Sequence, residues 1–350
     1  MRILSTKKIS EKELSVLCRQ MKIMYNSGCD IINILEIIAG SSSENLGRAL
    51  IRTKKGIESG KNITDSFKYS NSFSKFFIYM INAGEVSGRI DYVLEQLSNY
   101  YDKENKLKRK LMGAMVYPIV LLIVMLFTFL FMLLFVIPNF EMAFDFDGMS
   151  LPIVTRFIFW LSKFLRGNLM FIFVSTIATV FMLYRFVSDS DYFKVVFDRK
   201  KFEIPKMGEL FKLIISDKFS RVLFILMSSG VYIGESLDLA VQILNDSYVE
   251  KRLISAKIRI EQGNGISESL RFTGLFPDMF ISMILSGEES GNFEESLRLV
   301  SEYYSNELDL RLEYYVKMIE PLMIVIVGIM VGTMVIAILS PMFELISTIR

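Results

Sequence analysis

Three stretches of this chain lose their charged positions altogether. Leu111 to Phe140, Asn168 to Tyr184 and Pro321 to Phe343 carry no Asp, Glu, Lys or Arg, and Ile119 to Ile137 is almost continuously Leu, Ile, Val, Phe and Met. A helix needs about 20 apolar residues to cross a hydrocarbon core, so the pattern predicts transmembrane helices over 111–140, 168–187 and 318–343. Elsewhere the apolar positions keep helical spacing. Ile90, Val93, Leu94 and Leu97 form an i, i+3, i+4, i+7 stripe, and Phe293, Leu297, Val300 and Tyr304 form another. The spacing predicts helices near 11–27, 30–40, 44–58, 63–68, 73–83 and from 88 onward, a bundle of about six over 11–110. The sixth meets no breaker before Pro118 and is expected to run unbroken into the bilayer, about 75 Å at 1.5 Å per residue. In the second half, Asn292 and Glu295 offer a capping box for the matching helix.

The same pattern occurs twice. Sliding the chain by about 203 positions sets Phe73, Phe77, Met80 and Ile81 on Phe276, Phe280, Met283 and Ile284. Gly84-Glu85-Val86-Ser87-Gly88 falls on Gly287-Glu288-Glu289-Ser290-Gly291, and Tyr100, Tyr101 and Glu104 fall on Tyr303, Tyr304 and Glu307. The register reaches into the apolar runs, where Pro118 meets Pro321 and Pro138 meets Pro341. One residue of slip aligns Arg19 and Gly28 with Arg221 and Gly230. A second bundle over 188–317 is therefore expected to repeat the first. The fold class is an all-α polytopic membrane protein with two repeated cytosolic helical bundles of about six helices each and three transmembrane helices.

Charge gives the orientation. Lys103, Lys106, Lys108, Arg109 and Lys110 precede the first apolar run, and Arg185, Lys194, Arg199, Lys200 and Lys201 follow the second. The loop between those runs has no cationic excess. The positive-inside rule then places both bundles in the cytosol, with 141–167 and the tail 344–350 outside. Ile153 to Leu165 reads as an amphipathic helix at the outer interface. Met1 to Leu14 has no apolar core of a signal peptide, so the N-terminus is expected to be cytosolic.

Composition narrows the chemistry. The chain has 350 residues, 52% of them hydrophobic, and no His. That rules out a His-based triad, an imidazole base or a His-ligated metal. Cys18 and Cys29, the two cysteines, read as small core residues, too few for a metal site or a disulfide framework. A net charge of +2 without a basic stripe argues against nucleic acid. The basic cluster at 106–110 is read as facing lipid phosphates. Gly56-Ile-Glu-Ser-Gly60-Lys61-Asn62 mimics a phosphate loop but is one residue short and follows a helix, not a strand. No catalytic residue, cofactor or metal site is expected.

The singled-out residues are therefore motif residues. Gly84 and Gly287 are read as ending a helix in left-handed geometry, with Gly88 and Gly291 permitting close approach of the next helix. Glu85 and Glu288 are read as accepting from backbone amides or from an arginine such as Arg19 or Arg221. A partner-docking role for these carboxylates, with Ser87 and Ser290 beside them, is the alternative. Pro118 and Pro321 lie at the membrane entry, and Glu320, which replaces Tyr117 of the first copy, is an ionisable group at that depth. Gly328 and Gly332 offer a close helix contact in the third run.

With the duplication, three spans, Gly-Glu-x-Ser-Gly in both halves and a proline at each membrane entry, the chain resembles the type II secretion F family over roughly 14–345. These are inner-membrane platform proteins of type IV pili, type II secretion systems and competence pseudopili. The resemblance implies a non-enzymatic scaffold of the bacterial cytoplasmic membrane. Its implied partners are a hexameric cytosolic assembly ATPase, pilin or pseudopilin subunits, other inner-membrane components of the machine and a second copy of itself, a dimer by default. The short segment before the first bundle leans toward the competence-type members. A small-solute transporter or channel subunit is the competing class, against which stands the scarcity of ionisable groups in the spans.

Overall fold

The computed structural model describes residues 9–139, 153, 155–168, 200–244 and 246–348, and every regular element among them is helical. The first half holds α1 (Glu11–Asn26), α2 (Ile31–Ser41), α3 (Glu44–Glu58), α4 (Ile63–Tyr69), α5 (Lys75–Ser87) and α6 (Ile90–Phe131). The second half holds α7 (Met207–Ser228), α8 (Ile233–Leu244), α9 (Ser247–Glu261), α10 (Ile266–Thr273), α11 (Asp278–Glu289) and α12 (Phe293–Thr348). Two helices among the described residues, α6 with its extension and α12, are long and apolar enough to cross a membrane. The expected middle span, 168–187, lies almost entirely outside the described residues, as do 141–152 and 154 of the expected loop 141–167 and the last two residues of the tail.

Polar caps set the helix starts. Ser10 and Glu13 form a reciprocal capping box on α1, and Asp30, Ser43, Asn62 and Ser74 each accept an amide hydrogen at the next four starts. Each hydroxyl, amide or carboxylate satisfies a donor that the first turn leaves orphaned, worth about 1 kcal/mol per cap. At the start of α12, Glu295 takes the guanidinium of Arg298 on both oxygens. That pairing replaces the capping box anticipated with Asn292.

The chain divides into two compact units. One comprises residues up to Lys110 together with Val195–Arg311; the other comprises Leu111–Lys194 and Leu312–Arg350. In the first unit a continuous apolar core gathers side chains from both halves of the sequence, including Leu17, Phe67, Phe77, Leu97, Phe219, Phe280 and Leu297. Cys18 belongs to this core, where burial pushes its thiol well up, but Cys29 is exposed and is no core residue.

In the second unit the first apolar run remains helical through Pro118 and changes register only at Met132–Val136, a π-turn. There the Ile137 amide donates to Met132 five residues back. Pro138 is next in that register and has no N–H to give Leu133, whose carbonyl instead accepts from Ser162 Oγ at 2.6 Å. Ser162 lies in the helical segment 155–168, which packs Ile158 against Leu133 and Ile137. Its other face stacks exposed Phe157, Trp160 and Phe164 in a row.

Candidate functional site: the paired helix joints

The Gly-Glu-x-Ser-Gly segments are not loops between helices. Each forms the last turn of a helix, so α5 runs to Ser87 rather than stopping near 83, and α11 runs to Glu289. The glycine roles are the reverse of those anticipated. Gly88 and Gly291 hold the left-handed residues, with φ of 69° and 70°, and Arg89 N–H closes on the Gly84 carbonyl at 2.9 Å. An αL residue is what halts a helix while satisfying its final carbonyls, and it favours glycine. Gly84 and Gly287 are instead the close-approach positions. A Cβ at Gly84 would stand 3.1 Å from Ile90 Cα and from Val93 Cβ, and one at Gly287 would stand 2.3 Å from Ser296 Cβ. The mistaken assignment has a clear cause: Gly84 and Gly88 are one helical turn apart, and spacing alone does not distinguish the crossing from the cap.

Between the two glycines the carboxylate reaches a third helix. Glu85 accepts from Ile63 N–H at 2.9 Å, Thr64 N–H at 3.0 Å and Thr64 Oγ1 at 2.6 Å. Glu288 accepts from Ile266 N–H at 2.6 Å, Ser267 N–H at 3.0 Å and Ser267 Oγ at 2.6 Å. These are the first amides of α4 and α10, where unpaired donors and the helix dipole favour an anion. The amide reading of the two carboxylates therefore holds, and the arginine reading does not. Arg19 is exposed, while Arg221 pairs with Asp217 and lies 3.6 Å from Glu104. The serines are exposed and bond back to their own helices, Ser87 Oγ donating to the Ala83 carbonyl at 2.6 Å and Ser290 Oγ to the Gly287 carbonyl at 3.4 Å. Each motif is thus a joint that ties a short helix, its successor and the base of the long helix at one point.

Burial opposes the Glu288 anion, but the Ser267 hydroxyl and the two backbone amides outweigh it and hold the carboxyl below its ordinary value. A depressed folded-state value means that this stability is complete above the ordinary carboxylate range and is lost as pH falls through the lower value. Glu85→Gln and Glu288→Gln should each cost about 1–2 kcal/mol, since one good acceptor of the pair becomes a donor facing donors. Hydrogen exchange at the amides of Ile63, Thr64, Ile266 and Ser267 reads the loss locally. At Glu288→Gln the loss should no longer grow on acidification.

The remaining candidates fall elsewhere. Pro118 is buried within α6, and Pro321 and Glu320 are exposed on α12. A Cβ at Gly328 or Gly332 would meet open space, so neither makes a close contact among the described residues. Gly56, Gly60 and Lys61 build no phosphate cradle. Gly56 is inside α3 against Ser66, Gly60 has φ 86° as the turn after it, and Lys61 Nζ sits 3.7 Å from the centroid of the Tyr69 ring.

A cluster that sequence reasoning missed lies between the two halves of the first unit. Lys218 is 2.9 Å from Glu104, and Arg221 is held between Glu104 and the fully buried Asp217. Lys103 Nζ donates to Ser305 Oγ at 3.2 Å. Burial, then the nearby Arg221, lowers Lys103; burial raises Asp217 despite its arginine. Beside the cluster is a cavity of about 720 Å³ lined in part by Tyr100, Tyr101 and Leu239. The available signal was Glu104, which the repeat sets on Glu307, but nothing in the linear pattern joined it to residue 221.

The model of type II secretion system (T2SS), protein F, matches this chain twice, over residues 17–138 and 219–341. The chain belongs to that family. Both matched segments enter in the first helix of a half and end in its long apolar helix, and each contains one joint. Among curated relatives of this F family, the type IV pilus assembly protein PilC of Thermus thermophilus is 30% identical over 340 residues, spanning 97% of this chain and 84% of that protein. PilC of Pseudomonas aeruginosa is 28% identical over 97% and 91% of the two chains. The type II secretion system protein F of Vibrio cholerae is 28% identical over 96% and 83%. Secretion and pilus machinery are thus the setting of this fold.

Proposed function

We propose that this chain is the multi-pass platform of a type IV pilus, type II secretion or competence pseudopilus machine in the bacterial inner membrane, and that it acts without catalysis. Its two bundles face the cytosol and meet the assembly ATPase; its spans, with 168–187 as the middle one, meet pilin or pseudopilin helices leaving the bilayer. The observation that carries the reading is the pair of unbroken helices that leave the joints. α6 has 42 residues and α12 has 56, about 63 Å and 84 Å at 1.5 Å per residue. Each starts as an amphipathic helix in the bundle core and ends as an apolar one, so a turn imposed on the bundle reaches the span without an intervening flexible link. The anchored joints fix the base of each lever.

The test is a flexible insertion. Six Gly-Ser residues between Lys110 and Leu111 leave every bundle contact named above intact and break only the rod. Recruitment of the assembly ATPase should persist in co-purification while surface fibres or secretion fall at least tenfold. Unchanged fibre assembly would refute the coupling.

A further inference from the structure

The helical segment 155–168 carries three stripes, and the first span gives their depth. Thr155, Ile158, Ser162 and Leu165 follow one another at steps of three or four; the first three are buried and Leu165 is half-buried. Ile158 packs on Leu133 and Ile137, and the Ser162 hydroxyl donates to the Leu133 carbonyl, so the roll of the segment about its own axis is fixed. That roll turns the two other stripes outward. Phe157, Trp160 and Phe164 are 58%, 57% and 44% exposed, and their rings stack with centroids 5.9 and 5.4 Å apart. Beside this row Arg156 and Arg166 are exposed, and neither has an ion pair among the described residues. Fully covering one such aromatic side chain is worth about 1.5–3 kcal/mol, so a row of three standing bare calls for an occupant.

Depth decides which occupant. Charged side chains end at Lys110, and from Leu111 to Leu133 the helix rises about 33 Å at 1.5 Å per residue. A hydrocarbon core is about 30 Å thick. Leu133 therefore stands at the far edge of the apolar layer, and the segment fastened to it lies at headgroup level. Aromatic rings next to arginine suit that layer, the rings meeting the acyl boundary and the guanidinium groups meeting phosphate. We infer that segment 155–168 is a contact site for anionic phospholipid: Phe157, Trp160 and Phe164 rest on the acyl boundary, and Arg156 and Arg166 hold lipid phosphates. Because Ser162 on the inner stripe holds the π-turn, the same segment ties the end of the span to the bilayer surface. The inference rests on the first span crossing the bilayer and not on an ATPase or a fibre subunit.

Trp160 is the one tryptophan of the chain, so the full-length protein in phospholipid vesicles reports on this face without a label. Its fluorescence should be quenched most by lipid brominated near the headgroup end of the acyl chain. Lipid brominated near the methyl end should quench it less, and iodide on both sides of the membrane should quench it least. With brominated phosphatidylglycerol as a minor component of phosphatidylcholine vesicles, quenching should be about twice that from the same share of brominated phosphatidylcholine. Arg156→Gln combined with Arg166→Gln should erase this preference and keep the depth profile. A Trp160→Phe chain carrying Leu122→Trp, midway along the span, checks the span by itself and should be quenched most by the methyl-end bromine. Dominant iodide quenching of Trp160 would mean that water covers the row, protection from every quencher that protein does, and strongest quenching at the methyl end that the row lies in the hydrocarbon. Any of these, equal quenching by the two brominated lipids, or a preference that survives the double substitution would overturn the inference with the span intact. Failure at Leu122→Trp would remove the span and the inference together.

Discussion

Arg221→Met should destabilise the first unit by about 3–5 kcal/mol, the usual cost of removing one partner from a buried ion pair. Asp217 has no exposed side-chain surface, and Arg221 is the cation paired with it. Removing the guanidinium strands that carboxylate in the core and also deprives Glu104 of one of its two bases. Thermal unfolding in detergent should show the drop. Arg19→Met, the same change at the register-matched exposed position, should stay within about 0.5 kcal/mol. Asp217→Leu combined with Arg221→Met should recover most of the loss, because the penalty lies in the unpaired charge and not in the pair's net worth.

Acid sharpens this test. Burial raises Asp217 above the ordinary carboxylate value even with Arg221 beside it. For a raised value, the stabilisation that comes with the bound proton is complete below the ordinary range and disappears as pH rises through the higher one. The Arg221→Met deficit should therefore shrink on acidification, whereas the joint at Glu288 weakens on acidification. Two carboxylates in one unit thus respond to pH with opposite sign, since burial dominates at Asp217 and three hydrogen-bond donors dominate at Glu288.

That cluster also marks where linear reasoning stops. The helices of the first half were legible in the apolar periodicity, and five of the six lie within two residues of expectation at each predicted end. The exception, α5, runs four residues further because Gly84, taken for its end, is a residue of its interior. The repeat was legible because Pro, Gly and aromatic residues recur in register. The contact between the copies was not. Arg19 and Arg221 are matched by the repeat, yet one is exposed and the other lies beside Asp217, and only the three-dimensional packing separates them. Likewise, the acceptor role of Glu85 was readable from a carboxylate beside a glycine turn, but its donors are 21 and 22 residues upstream at another helix start.

Gly287→Ala should be among the most damaging single-methyl changes in the chain, costing about 3 kcal/mol, at the upper end of what overpacking a tight core does. Helix propensity points the other way, since alanine is favoured over glycine inside a helix by about 1 kcal/mol. Sterics decide the sign: the new Cβ would lie 2.3 Å from Ser296 Cβ and 2.6 Å from Ser296 Oγ. The Cβ of Ser296 cannot rotate away, and its hydroxyl donates to the Met283 carbonyl at 2.7 Å, so relief requires α11 and α12 to separate. Gly84→Ala in the first copy meets its nearest neighbours at 3.1 Å, a crowding that a few tenths of an ångström relieve, and should cost under about 1 kcal/mol. Ser296→Ala keeps the offending Cβ and should not rescue Gly287→Ala, whereas Ser296→Gly should, although it introduces a second glycine into a helix. Rescue by Ser296→Ala would mean that the hydroxyl, not the helix crossing, sets the limit. Because the crossing fixes where α12 leaves the bundle, the displaced helix should also expose the Glu288 joint, and faster hydrogen exchange at Ile266 and Ser267 would report the shift before global unfolding does.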